Sequence, residues 1–178
     1  MTTLCLAAFF SVAAAAAPPE DCLHVLTDNG NISGVLNEDA GVCAYKGVPF
    51  AAPPVDDLRF AKPQPPEPWE GTLEADEFGS DCIQYPISLF GSTSVQGSED
   101  CLYLNLWHPA GPEEEPLPVM VFIYGGGFIY GSGSWDTYEG SRLAKMGGVV
   151  VVTFNYRLGP FGFMAHPALA TRWRRSSG

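Results

Sequence analysis

The sequence predicts an α/β fold in which a small antiparallel N-terminal meander leads into a mostly parallel central sheet. Three features carry that expectation. Two runs, VMVFI at 119–123 and VVVVTF at 149–154, are continuously apolar, the pattern of strands covered on both faces. Between them lie a glycine-rich loop, YGGGFIYGSGS at 124–134, and a short segment, YEGSRLAKM at 138–146, that can carry a helix. Strand, loop, helix and strand in that order make an α/β crossover. Ahead of the crossover, LHVLTDNGNISGVL alternates apolar and polar residues around Asp28-Asn29-Gly30, the turn chemistry of a β-hairpin.

From the N-terminus, residues 4–17 form an apolar stretch that ends in small residues. This reads as a secretory signal, residues 1–17, with cleavage near Ala16 or Ala17. It is short for a membrane span, and no later run is long enough for one. Residues 18–170 form the expected folded unit. Residues 171–178 are an atypical tail, since Arg172, Arg174 and Arg175 supply three of the nine basic residues of the chain. Secretion removes Cys5 and leaves Cys22, Cys43, Cys82 and Cys101, an even number in a disulfide-permissive compartment, with three possible pairings. There Asn31-Ile32-Ser33 is a possible N-glycosylation site at Asn31. The expected location is therefore extracellular.

A third short strand at 42–46 would complete the meander. The proline clusters at 49–54 and 63–68 exclude long helices and leave an extended stretch in which Leu58, Phe60 and Trp69 anchor on a core. Residues 83–100 are polar, Ser- and Gly-rich, and read as a surface loop; 102–107 reads as a strand and GPEEEPLP at 111–118 as a solvated acidic turn. The formal charge of −11 repels phosphate backbones and argues against nucleic acid as a partner. There is no CxxC pair, and His24, His108 and His166 are scattered, so no metal site is expected.

The glycine loop is the candidate site. Glycines at the end of a buried strand allow φ > 0 and close approach of main-chain N–H groups to a ligand. Either a phosphate or an oxygen that becomes negative during a reaction suits such a loop. A phosphate-binding loop needs Gly-Lys-Ser/Thr, and none follows Gly125. The spacing gives no dinucleotide fingerprint either.

Four stretches bring a family into view: GVPFAAPPVDDLRF (47–60), EDCLYLNLWHP (99–109), VMVFIYGGGF (119–128) and FNYRLGPFGF (154–163). In this order they resemble the motifs of the type-B carboxylesterase and cholinesterase family of α/β-hydrolases, over residues 25 to about 169. The resemblance implies the N-terminal part of an α/β-hydrolase fold, incomplete here. It also implies hydrolysis of small carboxylic esters through a serine, a histidine and an acidic residue, with no cofactor. Matched residue by residue, the oxyanion-hole donors would be the N–H groups of Gly126 and Gly127; Tyr124 ahead of them is a form that the family uses. It implies a Cys82–Cys101 disulfide and a buried ion pair between Arg59 and Glu99. Cys22 and Cys43 have no such precedent and either pair across the meander or stay separate.

The chain departs from the family in one decisive respect. No Gly-x-Ser-x-Gly occurs in the 178 residues, although that turn carries the nucleophile, and none of the three histidines matches the catalytic one. Glu99 and Asp100 are adjacent on an extended segment and point to opposite faces, a poor acid/base pair. The 82–101 loop holds no tryptophan for cation–π binding of a quaternary ammonium, which disfavours choline esters. Trp69, Trp107 and Trp135 read as packing residues. The sequence thus reads as the oxyanion half of a secreted ester hydrolase, inactive alone, with a non-catalytic cholinesterase-like binding or adhesion protein as the alternative.

Overall fold

The computed structural model describes Cys22 and residues 24–85, 94–111 and 115–169. The expected signal (1–17) and basic tail (171–178) lie outside the described residues, as does part of the acidic turn. The strands are β1 Val25–Thr27, β2 Gly30–Ser33, β3 Val35–Asn37, β4 Val42–Pro49, β5 Thr72–Glu74, β6 Tyr103–Pro109, β7 Val119–Phe122 and β8 Val150–Phe154. Two short helices, α1 Ser141–Gly147 and α2 Gly159–Phe163, accompany them, with 3₁₀ turns at Asp56–Leu58 and Asp136–Tyr138 and a further helical stretch at 167–169 where the described residues end.

The expected hairpin forms: β1 and β2 pair antiparallel across Asp28-Asn29, with Val25 opposite Ile32. The expected meander does not continue from it. β2 takes β5 as a parallel neighbour on its other side, giving a three-stranded sheet β1-β2-β5. The chain changes sheets at Gly34, where a Cβ would lie 2.7 Å from the Ala44 carbonyl and the Tyr45 ring, and β3 then pairs with β4. A glycine in a strand-like pattern marks such a close approach. Trp69 fastens the small sheet from the side, donating its indole N–H to the Asn31 carbonyl at 2.7 Å.

The main sheet has the order β3-β4-β6-β8-β7. Its pairings are antiparallel except for β7 with β8, which is parallel as a crossover through α1 requires. Parallel pairing is therefore confined to one edge among the described strands of this sheet. The class is α/β, as expected, with mixed sheets and few helices. β4 runs three residues beyond the expected strand, bulging between Tyr45 and Val48, where Gly47 (φ +66°) donates its N–H to Asn105 Oδ1 at 2.9 Å.

α1 is shorter than the sequence suggests, because the segment begins as a 3₁₀ turn. The Glu139 carboxylate accepts the Ser141 N–H at 3.1 Å, and Gly148 at φ +58° ends the helix in the left-handed region. α1 lies against the sheet through Ala144, packed with Val42, Ala44, Val151 and the fully buried Trp107. Gly140 permits that contact, since its Cβ would fall 2.6 Å from the Trp107 ring.

Two disulfides staple the chain, Cys22–Cys43 and Cys82–Cys101, with Cα separations of 5.2 and 4.9 Å. All four cysteines are buried. The first ties Cys22 to β4 beside Ile32, Tyr45 and Ala75, which resolves the alternatives the sequence left open. Each closes a loop of about 20 residues, worth roughly 3 kcal/mol by restriction of the unfolded chain.

The two apolar runs differ in environment. β8 buries Val151 and Thr153, whereas every residue of β7, the edge strand among the described residues, is exposed. The expectation that both strands are covered on both faces fails for β7. An exposed apolar edge is a template for pairing with other chains. The chain expressed alone should therefore self-associate, and Val119→Lys with Val121→Lys, both on one face of the strand, should suppress association in sedimentation velocity without lowering the melting temperature by more than a few degrees. A wild-type chain that is already a monodisperse monomer with a cooperative melt would contradict this.

Candidate active site

β7 carries the chain to the glycine loop, and the loop is held at both ends. At its start, Tyr124 is buried and stacks on Tyr156, ring centroids 4.4 Å apart. The pair is reciprocal: the Tyr156 hydroxyl donates to the Tyr124 carbonyl at 2.8 Å, and the Tyr124 hydroxyl to the Tyr156 carbonyl at 3.3 Å. At its far end, Gly131 is gripped by Gln84, whose Oε1 accepts the Gly131 N–H at 2.8 Å while Nε2 donates to the Gly131 carbonyl at 3.0 Å. The loop closes on itself through the Gly126 carbonyl, which accepts the N–H groups of Ile129 and Tyr130 at 3.2 and 3.3 Å.

Inside that closure, three consecutive residues have positive φ: Gly126 (+122°), Gly127 (+62°) and Phe128 (+65°). A bulky residue there is strained, and Phe128 is held by two contacts. Its carbonyl accepts the Gly159 N–H at 2.7 Å, and its ring lies 4.8 Å from that of Phe163. Gly126 cannot be replaced without rearrangement, since a Cβ would sit 1.9 Å from the Tyr130 carbonyl oxygen. At Gly127 a Cβ would meet no described atom within 4 Å beyond its chain neighbours, and the residue is exposed. Among the described residues neither the Gly126 nor the Gly127 N–H has a hydrogen-bond acceptor, so both donors are available.

Beyond the loop, residues 131–134 run through the interior against the paired strands β6 and β8. Asn155 Oδ1 accepts the Gly133 N–H at 2.9 Å and the Ser132 hydroxyl at 3.2 Å. The Gly133 carbonyl accepts from Thr153 Oγ1 at 2.7 Å and from Asn105 Nδ2 at 3.4 Å. Sequence reasoning missed Gln84, Asn105, Thr153, Asn155 and the strain at Phe128. Asn105 and Thr153 had a signal, as polar residues interrupting apolar strands; Gln84 had none. Its segment, expected as a surface loop, instead pairs Gln84 with Gln96 by two main-chain bonds of 2.9 Å and buries the Gln84 side chain. Residues 86–93 lie outside the described residues.

The other expected site residues fall as follows. Arg59 and Glu99 form a bidentate pair, Nη2 to Oε1 at 2.5 Å with Nε bonded to Oε2. The pair is not buried as expected: the Arg59 side chain is 39% exposed and that of Glu99 17%. The Glu99 hydrogen bond raises the pKa of Arg59 further above its ordinary value, so the pair fixes geometry while solvent screens its energy. Asp100 accepts the Tyr103 hydroxyl at 2.9 Å, so the two adjacent carboxylates serve different partners. His108 stacks on Tyr45 with Nδ1 against the Pro109 carbonyl, and His166 Nδ1 accepts the Ala168 N–H. Asn31 is exposed on β2, and Ser33 of the same triplet donates its hydroxyl to Glu74 at 2.7 Å.

Residues 21–170 match the sequence profile of the carboxylesterase family. The chain belongs to this family. It is 51% identical over 144 residues to fumonisin B1 esterase of Sphingopyxis macrogoltabida, covering 81% of this chain and 26% of that protein. It is 49% identical over 142 residues to para-nitrobenzyl esterase of Bacillus subtilis, covering 79% and 28%. A solved PNB esterase structure superposes with a TM-score of 0.75 at 45% identity, over 85% of this chain and 30% of that one. The chain thus spans about a quarter of the length of these relatives. Its structure is a partial α/β-hydrolase fold.

The site carries a pH signature. Burial and the Asp100 bond push the Tyr103 phenol up to about 12; burial likewise raises Tyr124 and Tyr156. A raised native pKa means that the folded state keeps a proton the unfolded state has lost. The resulting stability is complete below the ordinary phenol value of about 10 and is lost as pH rises through the native value. Tyrosinate absorbance of Tyr103 and Tyr124 should appear only above the ordinary range and together with alkaline unfolding. Complete ionisation of all tyrosines near pH 10 (about the ordinary value) with the fold retained would contradict it.

Proposed function

We propose that this chain supplies the oxyanion-stabilising half of a site that hydrolyses small carboxylic esters. The observation that carries the reading is the Gly126–Gly127 turn. Two consecutive N–H donors stand free of protein acceptors among the described residues, on an exposed loop that is locked at both ends. Preorganised donors of this kind stabilise the negative oxygen of a tetrahedral intermediate, because they require no reorientation as charge develops. Membership of the carboxylesterase family supports ester chemistry.

The 178 residues contain no Gly-x-Ser-x-Gly. An oxyanion hole without a nucleophile has no acyl transfer to assist, so the chain by itself is inactive. The first seventeen residues direct secretion in this reading. The two buried disulfides and the exposed Asn31 of the sequon suit an oxidising compartment in which Asn31 is glycosylated.

The experiment has two arms. The chain alone, offered a short-chain aryl ester with a serine-reactive phosphonate as control, should show no phosphonate-sensitive turnover. A chimaera that carries residues 25–169 in place of their counterpart in the B. subtilis para-nitrobenzyl esterase should hydrolyse the ester. In it Gly127→Ala should lower kcat about a hundredfold by displacing the reacting carbonyl; the new methyl meets no neighbour, so its structural cost is the backbone strain of an alanine at φ +62°. Gly71→Ala is the control, since Gly71 shares positive φ and open surroundings but lies before β5 in the other sheet. Equal effects of the two substitutions on kcat, or none of either, would refute the oxyanion assignment.

A further inference from the structure

Gln84 is bonded unlike any other side chain near the glycine loop. It lies two residues beyond Cys82 and is 7% exposed, yet its carboxamide reaches across to a residue 47 positions away. Through Oε1 and Nε2 it reproduces both bonds that a neighbouring strand would make to Gly131, and Nε2 also donates to the Cys82 carbonyl at 3.1 Å. Its own main chain is pinned by the two bonds to Gln96 and, within two residues, by the Cys82–Cys101 disulfide.

Gly131 has no other means of being held this way. At φ +124° its Cβ position falls 2.5 Å from the Tyr124 ring and 2.8 Å from the Gly125 carbonyl oxygen. The far end of the loop is thus folded back on the near end with no room for a side chain. The five residues between Gly125 and Gly131 close on themselves through the two long bonds of Ile129 and Tyr130 to the Gly126 carbonyl, and are tied to their surroundings at Phe128, whose carbonyl accepts the Gly159 N–H at 2.7 Å. Bonds of 3.2 and 3.3 Å are at the weak end of the N–H···O range, so the turn depends on the Phe128 anchor and on its two ends being fixed. Tyr124 is fixed by Tyr156, and Gly131 by Gln84.

We propose that Gln84 is a positioning residue for the glycine loop: its carboxamide, set by the Cys82–Cys101 disulfide, fixes Gly131 and thereby holds the Gly126–Gly127 turn in its donor-presenting conformation. This rests on the oxyanion reading for its functional meaning, but the mechanical claim stands apart from it. The disulfide loop then serves as the outer wall of the oxyanion turn as well as a staple of the fold. Substitution of Gln84 should act on the turn without touching either donor.

The test is amide hydrogen exchange on the full 178-residue chain, with protection factors corrected for intrinsic rates. In Gln84→Met, which keeps the volume and removes all three bonds, protection at Ile129, Tyr130 and Gly131 should fall about tenfold or more, while β6 and β8 amides are unchanged. Gln84→Glu keeps the acceptor for the Gly131 N–H and loses the donor. Lowering the pH through the titration of that carboxyl, which burial raises above about 4.3, restores an O–H donor. Protection of the loop should recover on acidification in this variant and not change in the wild type.

Loss confined to Gly131, loss shared equally by β6 and β8, or no loss would overturn the proposal. If Gln84→Met does not fold, the pH response of Gln84→Glu decides, and a flat response counts against the proposal. No ester is involved in this readout, so it is separable from the oxyanion reading. Loop protection that falls while Gly127→Ala leaves the chimaera's kcat unaltered would uphold the positioning role and reject the oxyanion one.

Discussion

A main-chain segment that crosses the interior outside any helix or sheet must find a partner for every N–H and C=O it buries, and residues 131–134 are such a segment. Four side chains meet much of this requirement: Gln84 at the Gly131 N–H and C=O, Asn155 at the Gly133 N–H, and Thr153 with Asn105 at the Gly133 carbonyl. They come from the disulfide loop, from β6, from β8 and from the residue just after β8. Leaving one such group unpaired costs about 1–3 kcal/mol, so the network ties the placement of these elements to one another. β6 and β8 are adjacent through the register Asn105 opposite Thr153, and the same two residues share a hydrogen bond of 3.0 Å.

This constraint explains which parts of the structure were legible in the sequence. The Asp28-Asn29-Gly30 hairpin, the β7–loop–α1–β8 crossover and the glycine loop all follow from short-range rules, in which neighbours along the chain decide the outcome. The sheet change at Gly34 does not, because it depends on the closeness of Ala44 and Tyr45, residues about ten positions away. Nor does Gln84: a glutamine in a polar, glycine-rich stretch carries no local mark of a partner at Gly131. Pattern reading also assigned β7 two covered faces. Its apolar run is consistent with an inner strand, but coverage is a property of neighbours that the run itself does not encode.

The Arg59–Glu99 pair illustrates a related limit. Its partners were identifiable through the family motifs, while its burial was not, because burial depends on how the proline-rich stretch lies over the surface. The half-exposed geometry alters what the pair can do. In a dry site the desolvation of both charges would dominate; here water screens the charges, and the bidentate fork mainly orients one segment against the other. The Cys82–Cys101 disulfide lies between the same two regions in the cavity lined by Arg59, Glu99 and Arg157, so covalent and ionic ties converge on the base of the loop that carries Gln84.

The glycines of the loop divide by what a methyl group would meet. At Gly126, Gly131 and Gly133 a Cβ would strike backbone or ring atoms at 3.0 Å or less, so the fold itself excludes a side chain. At Gly125 and Gly127 it would meet nothing within 4 Å. Gly127 at least has a backbone reason, φ +62°, although Asn and Asp visit that region at modest cost. Gly125 has neither a positive φ nor a crowding neighbour. Packing among the described residues does not account for a glycine there. A bare backbone that the fold does not require is what close approach of a second body to the turn requires, and in the proposed function that body is a substrate carbonyl seated on Gly126 and Gly127. The pattern separates two demands within three consecutive residues: Gly126 serves the loop's own closure, and its neighbours on either side leave the approach to it open.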